Sequence, residues 1–173
     1  MNLFKKSALV AICSITALTA YGHSDRDYQE HIEKSFVVGT DASLVLDNLN
    51  GKVDIQAWSN NEVKIMATIL AKDEEDREKV EVILKQNNGR VSVETDYERS
   101  YFGHNHSHTK VDFEIMVPAH IDLDEIDLTN GSLTIQGVTG ELNASVVNGS
   151  ITSDGMSSDT KVDTVNGSIK LTF

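Results

Sequence analysis

The sequence predicts an all-β protein, and the fold that it favours is a single-domain β-solenoid with coils of about 18 residues. The dipeptide Asn-Gly recurs along the chain, and its last three copies begin at the evenly spaced positions 130, 148 and 166. The segments between these copies alternate apolar and polar residues, which is typical of half-buried strands. Asn and Gly also tolerate the backbone that a tight corner needs, so each copy is predicted to be a structural turn. The copies are Asn50-Gly51, Asn88-Gly89, Asn130-Gly131, Asn148-Gly149 and Asn166-Gly167.

The region from residue 130 onward divides into blocks of nine residues, in which the fourth and sixth positions are mostly apolar and the positions between them are polar. This alternation predicts strands with one buried face. The ninth position is also apolar, and a bend or bulge would be needed to turn it inward. Representative residues are Leu133, Ile151 and Ile169 at the fourth position, Ile135 and Leu171 at the sixth, and Val138, Val147 and Val165 at the ninth.

Two all-β architectures fit a turn every nine residues. Asn-Gly is a strong hairpin signal, so an antiparallel meander or sandwich is the alternative. Only every second turn is Asn-Gly, so the true repeat is 18 residues and not nine. This longer period favours the solenoid, in which two strands make one coil. In a solenoid Asn130, Asn148 and Asn166 would stack at about 4.8 Å and could form a hydrogen-bonded ladder.

The upstream region carries looser versions of the same pattern. Residues 44–55 pass through an Asn-Gly copy with apolar residues on both sides, and alternating segments predict further strands. One charged run has helix-forming residues but no apolar stripe, so we expect one or two exposed helical turns there. The strand segments are 62–70, 80–84, 91–94 and 111–117, and the charged run is 72–79.

Residues 1–22 have the layout of a secretory signal peptide. Lys5 and Lys6 precede an apolar run, 7–20, that ends in small residues. The run is short for a membrane span, and an uncleaved anchor is the alternative. The domain prediction is therefore a signal peptide over 1–22, a polar and disordered lead-in over 23–33, and a β-domain over 34–173. Cys13 lies in the apolar run, so the mature domain is expected to fold without a disulfide.

Composition excludes some classes of partner. The formal charge is −12, and it becomes −14 without Lys5 and Lys6. Such an acidic surface disfavours nucleic acid and anionic lipid. Its simplest role is solubility.

Four kinds of motif recur or stand out along the chain. They are Asn-Gly-Ser-Leu/Ile at 130–133, 148–151 and 166–169, Leu-Asn-Gly-Lys-Val-Asp-Ile at 49–55, Glu-Lys-Ser-Phe at 33–36 and Asp-Phe-Glu-Ile-Met-Val-Pro at 112–118. Together they resemble the bacterial putative adhesin family, a family of unknown function with Asn-Gly β-strand repeats that is related to the head domain of putative autotransporter adhesins. The resemblance covers residues 30–173. It implies an exported, right-handed, β-helix-like solenoid and no catalytic residue.

A histidine-rich loop, 97–110, departs from that family's pattern. In an extended segment His104, His106 and His108 would project to one face and could bind one ion. Imidazole suits zinc, copper or nickel, and a closed zinc site needs a fourth ligand. The alternative is a polar surface loop without metal, in which case the protein needs no cofactor. Candidates for the fourth ligand are Asp96, Glu98, Asp112 and His120.

Other residues give weaker functional signals. Tyr97, Tyr101 and Phe102 could form a sugar- or protein-binding surface, or cover one edge of the fold. The acidic residues among Ile and Leu at 121–128 are best explained as the solvent face of a strand. A nucleophile elbow and a phosphate loop are absent from the sequence, so we expect no enzyme.

The sequence therefore predicts an exported, non-catalytic, adhesin-like binding module of the cell envelope. Its expected partner is an envelope protein or glycan, or a second copy joined through the last strand, 168–173. The periplasm is the expected location, with the cell surface or the medium as alternatives, and no membrane span after signal cleavage. The alternative function is a periplasmic metal-binding or envelope-stress protein that uses the histidine loop. A β-helix enzyme acting on polysaccharide is a third hypothesis, and it lacks an acidic groove.

Overall fold

The computed structural model describes residues 28–98, 109–155 and 159–173. These residues form one sheet of ten strands and a single short helix, so the all-β prediction is confirmed for the described chain. The elements are β1 (Tyr28–Val37), β2 (Ser43–Asn50), β3 (Val53–Trp58), β4 (Glu62–Ala71), α1 (Glu74–Glu78), β5 (Val80–Asn87), β6 (Arg90–Tyr97), β7 (Lys110–Pro118), β8 (Asp122–Gln136), β9 (Leu142–Asp154) and β10 (Thr160–Thr172).

The three Asn-Gly-Ser repeats pair in parallel with one another. β8, β9 and β10 are long strands that run through their Asn-Gly dipeptides without a break. Asn130 pairs with Asn148, and Asn148 pairs with Asn166, so neighbouring strands are offset by one full sequence period at these positions. This parallel stacking is the pairing that the period predicts. Within β8–β10 the Asn-Gly dipeptide is therefore a corner in a long strand.

Five successive levels of parallel strands can be traced, and we call them rungs. Rung 1 is β6 with β7, rung 2 is β2 with β3, and rungs 3, 4 and 5 are β8, β9 and β10. In rung 2 the Asn50-Gly51 corner joins β2 to β3, and Asn50 pairs with Asn130 of rung 3. In rung 1 the sequence between β6 and β7 has no Asn-Gly corner, and most of it, residues 99–108, lies outside the described chain.

The sheet beyond rung 1 is antiparallel. β5 pairs with β6, β4 pairs with β7, and β1 pairs with β4. These strands cover the outer edge of rung 1, and α1 connects β4 to β5. Asp73 caps that helix by accepting a hydrogen bond from the backbone N–H of Asp76. The predicted helical turn in the charged run is therefore present.

One copy of Asn-Gly forms a hairpin. Asn88 and Gly89 connect the antiparallel strands β5 and β6, with φ of 49° and 82°. A positive φ at both central residues matches the twist of a two-residue hairpin, and Asn-Gly is the preferred dipeptide there. The same dipeptide thus has two structural roles in this chain.

A single core fills the space that the curled sheet encloses. The inward residues follow the predicted alternation, and Leu133, Ile135 and Ile151 are buried. The ninth position of the nine-residue blocks follows the prediction in the first block, where Val138 is buried, but not in the later ones, where Val147 and Val165 are exposed. Simple alternation along β9 buries Val146 instead, so no bulge is needed to turn Val147 inward.

β1 begins inside the segment that the sequence predicts to be a disordered lead-in, 23–33. Residues 28–33 belong to β1, although the sequence there is polar and was expected to be disordered. β1 pairs with β4 along its whole length, and Arg77 binds Glu30 through two nitrogens. Pairing with an apolar neighbouring strand therefore orders a segment that has little strand propensity of its own.

The predicted signal peptide, Cys13, and the three histidines lie outside the described residues. Among the residues that the structure describes, no helix has the length and apolar character needed to cross a membrane.

Candidate binding groove

Four asparagine side chains form a ladder along one corner of the rungs. Asn130 Nδ2 donates to Asn50 Oδ1, Asn148 Nδ2 to Asn130 Oδ1, and Asn166 Nδ2 to Asn148 Oδ1, each at 2.9 Å. The ladder predicted for three residues therefore extends to Asn50 of rung 2. Each bridging amide uses one donor and one acceptor in the ladder, which fixes its orientation.

The glycines that follow these asparagines are in very close backbone contact. A Cβ added at Gly131 would lie 1.8 Å from Gly51 O, one at Gly149 would lie 1.6 Å from Gly131 O, and one at Gly167 would lie 1.5 Å from Gly149 O. Any side chain would collide with the rung below. Glycine is therefore required at these corners because of the close approach of one rung to the next.

A groove follows this corner along rungs 2 to 5 and reaches Thr109, Lys110 and Asp112 at rung 1. Its volume is about 770 Å³. Residues of the four stacked Asn-Gly corners and the serines after three of them supply most of its lining. We call it the Asn-Gly-Ser groove. Its lining consists of Asn50, Gly51, Lys52, Thr109, Lys110, Asp112, Asn130, Gly131, Ser132, Gly149, Ser150, Gly167 and Ser168.

The charged groups of the groove are confined to its lower end, at rungs 1 and 2. Lys110 Nζ lies 2.8 Å from Asp112 Oδ2, and Asp112 Oδ1 accepts the backbone N–H of Lys52 at 2.9 Å. The lining thus contains two lysines and one aspartate in a protein of formal charge −12. The rest of the lining is uncharged, with the amide of Asn130 at rung 3 and a glycine and a serine at each of rungs 3 to 5.

A buried polar cluster supports the groove where rung 1 lacks an Asn-Gly corner. Asn48 is fully buried, and its Nδ2 donates to Val111 O at 2.9 Å. Thr95 Oγ1 donates to Asn48 Oδ1 at 3.2 Å. Both polar ends of the Asn48 amide are therefore satisfied inside the core, which avoids the cost of an unpaired buried group. This cluster ties β2, β6 and β7 together.

The predicted histidine site, at His104, His106 and His108, lies outside the described residues. The description resumes at Thr109, which lines the groove. The four candidate fourth ligands are not gathered into one site. Asp112 is engaged with Lys110 and Lys52, and His120 lies in the exposed turn after β7. No group of three or more His, Cys, Asp or Glu side chains among the described residues is placed to hold a metal ion.

Four carboxylates lie close together on another outer face of rungs 1 to 3. Asp47 pairs with Glu94 on one side and with Asp127 on the other, and Glu125 is nearby. Burial, then Asp127, Glu94 and Glu125, raise the pKa of Asp47. Burial and Glu125 raise the pKa of Asp127. Asp127, which the sequence placed on a solvent face, is thus one member of a mutually repelling cluster.

The predicted aromatic surface is only partly described. Tyr97 is half-buried at the end of β6, and its hydroxyl is buried without a hydrogen-bond partner. Burial, and then the charge of Asp112, raise the pKa of Tyr97. Tyr97 therefore covers one end of the core, while Tyr101 and Phe102 lie outside the described residues.

The sequence interpretation assigned the Asn-Gly dipeptides to the fold alone and did not identify the groove. A signal was available in the residue that follows each dipeptide. Ser132, Ser150 and Ser168 recur at the same interval as the Asn-Gly pairs. A repeated small polar residue beside a glycine indicates an open, hydrogen-bonding surface as well as a turn.

Comparison with known proteins gives structural neighbours only. No protein-family model and no curated protein sequence matches the chain. The structure is similar to a putative cell adhesion protein from Clostridium sporogenes, with 10% identity, 83% of this chain and 99% of that chain covered, and a TM-score of 0.49. It is also similar to putative adhesins from Bacteroides fragilis (12% identity, 82% and 97% covered, TM-score 0.30) and Parabacteroides distasonis (12% identity, 83% and 65% covered, TM-score 0.35). Similarity at this level assigns no function.

Proposed function

We propose that this protein is an exported, non-catalytic, adhesin-like module of the cell envelope that binds an extended glycan along the Asn-Gly-Ser groove. The observation that carries this proposal is the groove lining. All its residues are glycine, or carry hydroxyl, amide or charged side chains. A partner protein would be expected to bury aromatic or aliphatic anchors, for which this lining offers no apolar pocket.

The repetition of the groove suits a polymeric ligand. Rungs 3 to 5 each add one glycine and one serine to the lining, at the strand spacing of about 4.8 Å. The ladder holds the amides in place before binding, so little side-chain entropy is lost. Of the ladder asparagines, Asn50 and Asn130 line the groove; one N–H of Asn130 is committed to Asn50, and the second can be donated to a ligand. Individually weak hydrogen bonds would then add along an extended chain of hydroxyl groups.

The architecture that supports the groove is, in this proposal, a short right-handed β-solenoid whose coils are rungs 2 to 5. Rung 1 and its antiparallel neighbours would act as the cap that a solenoid needs at its end. The periplasm is the proposed location, with the cell surface or the medium as alternatives, because residues 1–22 have the layout of a signal peptide.

A binding assay with matched variants tests the glycan proposal. The purified protein is applied to a panel of neutral and acidic envelope polysaccharides, and the affinity is measured by titration. Replacing Ser132, Ser150 and Ser168 together with Ala should weaken binding by about 10- to 100-fold, because three hydrogen bonds are lost. The control replaces Thr134 and Thr152, two residues further along the same strands, with Ala, and should bind normally. If no polysaccharide binds, or if both variants bind equally well, the groove proposal is wrong.

The second proposed function is metal binding through His104, His106 and His108. The alternating His-x-His-x-His pattern favours it. Titration with zinc, copper or nickel at neutral pH should release heat, and the heat should vanish when imidazole is protonated at acidic pH. A variant with all three histidines replaced by Asn serves as the control. If it binds the metals as tightly as the original protein, the site lies elsewhere.

A further inference from the structure

The outer edge of β10 is unpaired within the described chain. β10 pairs with β9 from Thr160 to Thr172, and no described strand pairs with its other edge. The opposite end of the sheet has antiparallel strands stacked beyond rung 1, so the two ends differ. An edge of this length exposes a row of backbone donors and acceptors, which is a template for another strand.

The apolar core is also uncovered at β10. Ile169 is 40% exposed, although Ile151, its counterpart in rung 4, is fully buried. The inward residues of rung 4 are buried because rung 5 covers them. The inward residues of rung 5 are exposed because no described strand covers them in the same way. A strand added to β10 would therefore bury apolar surface as well as pair the backbone.

The pattern of inward residues in β10 has an internal symmetry. Val162 and Thr164 align with the inward residues of β9 before the corner, and Ile169 and Leu171 align with those after it. These two pairs are equidistant from the Asn166-Gly167 bond. A two-fold axis through that bond would place each half of β10 against the other half in a second copy, in antiparallel register. Inward residues would then face inward residues, Val162 opposite Leu171 and Thr164 opposite Ile169.

Charge selects the same register. With the axis between Asn166 and Gly167, Asp163 of each copy lies opposite Lys170 of the other, which gives two equivalent ion pairs. Sliding by two residues in one direction places Lys161 opposite Lys170, and sliding in the other direction leaves Asp163 opposite Thr172. Shifting by one residue sets inward residues against outward ones. Asp163 and Lys170 pair with Ser145 and Thr152 in their own chain, so neither faces a charged residue of β9.

We infer that β10 binds a second copy of this chain, as a two-fold symmetric, antiparallel β10–β10 pair with Asp163 opposite Lys170. Such an isologous contact closes both edges at once and does not propagate into a fibre. The axis passes through the corner that carries Asn166, Gly167 and Ser168, so the Asn-Gly-Ser grooves of the two copies would meet end to end. The inference does not depend on what the groove binds.

Charge reversal with rescue tests the register. Sedimentation equilibrium of the purified protein, from micromolar to near-millimolar concentration, should show a dimer. Asp163→Lys or Lys170→Asp should each raise the dimer dissociation constant by about tenfold, because two attractive pairs become two repulsive ones. The double variant Asp163→Lys/Lys170→Asp should restore the dimer. Lys161→Asp is the matched control on the same strand, because it faces Thr172 and should leave the dimer intact.

Two outcomes would overturn the inference: a monomer at all concentrations, or a dimer on which the single reversals have no more effect than Lys161→Asp. Circular dichroism of each variant checks that the fold is retained, and recovery in the double variant excludes simple unfolding. Polysaccharide binding by the single variants should be unchanged per protomer for short oligosaccharides. Failure of the dimer and failure of the groove proposal are therefore distinguishable.

Discussion

Gly149→Ala should be among the most destabilising single-methyl additions in this protein. Gly149 lies in rung 4, between rungs on both sides, and an added Cβ would be 1.6 Å from Gly131 O. Real Cβ contacts essentially never fall below 3.0 Å, so the two rungs would have to move apart at this corner. The Asn148–Asn130 ladder bond of 2.9 Å crosses the same gap and would lengthen with it.

The expected cost combines steric strain with lost hydrogen bonds. Overpacking a rigid site costs roughly 1–3 kcal/mol, and each lost hydrogen bond adds about 1 kcal/mol. A loss of about 3–4 kcal/mol in unfolding free energy corresponds to a melting temperature lower by about 10 °C for a domain of this size. Urea unfolding followed by circular dichroism measures it.

Two other glycines calibrate the result. Gly39 has no heavy atom within 4 Å of an added Cβ, so Gly39→Ala should be close to neutral. Gly89 has space but a φ of 82°, so Gly89→Ala should cost about 1–2 kcal/mol from backbone strain alone. If Gly149→Ala is as stable as Gly39→Ala, the close packing of the glycine column is refuted.

Three further substitutions test other parts of the structure. Asp47→Asn should stabilise the protein at neutral pH. The folded protein binds the Asp47 proton more tightly than the unfolded chain does, so the original protein loses stability as pH rises through the raised pKa of Asp47. The urea midpoints of the two proteins should therefore converge at a pH below 3.8, the usual pKa of an aspartate. Asn48→Leu should lower the unfolding free energy by about 1–3 kcal/mol, because Val111 O loses its buried hydrogen-bond donor. Leu128 fills the matching place in rung 3, so the size of a leucine is not the obstacle. Equal urea midpoints for the two proteins would contradict this prediction. Asn148→Ala should lower the unfolding free energy by about 1–2 kcal/mol, because it removes the two ladder bonds on either side of rung 4. Unchanged hydrogen exchange at the backbone amides of Gly149 and Gly167 would show that the ladder is not a stabilising element.

The repeated part of the fold was predictable because equivalent residues make the same contact in every 18-residue repeat. Asn130, Asn148 and Asn166 recur because each bonds the next, and the inward columns recur because they share one core. The sequence period is therefore a direct consequence of parallel stacking. The role of Asn88 was less accessible, because the dipeptide alone does not distinguish a corner from a hairpin.

Other features depend on contacts that one sequence does not display. β1 is ordered by pairing with β4 and by the bond from Arg77 to Glu30. Asn48 satisfies the buried carbonyl of Val111, yet it looks like an ordinary polar residue in the sequence. The groove itself arises from four dipeptides that are distant in sequence, and Lys110 reaches it from a different strand.

The central claim is that the Asn-Gly-Ser corners stack in parallel, since both the groove and the β10 edge depend on it. Nuclear Overhauser contacts of the backbone in isotope-labelled protein test it most directly. We predict contacts between Thr152 and Lys170, and between Thr134 and Thr152, which pair across rungs 3, 4 and 5. Close contacts between the backbones of Ser145 and Thr152, as a hairpin at Asn148-Gly149 would give, together with the absence of the contacts between rungs, would contradict the account.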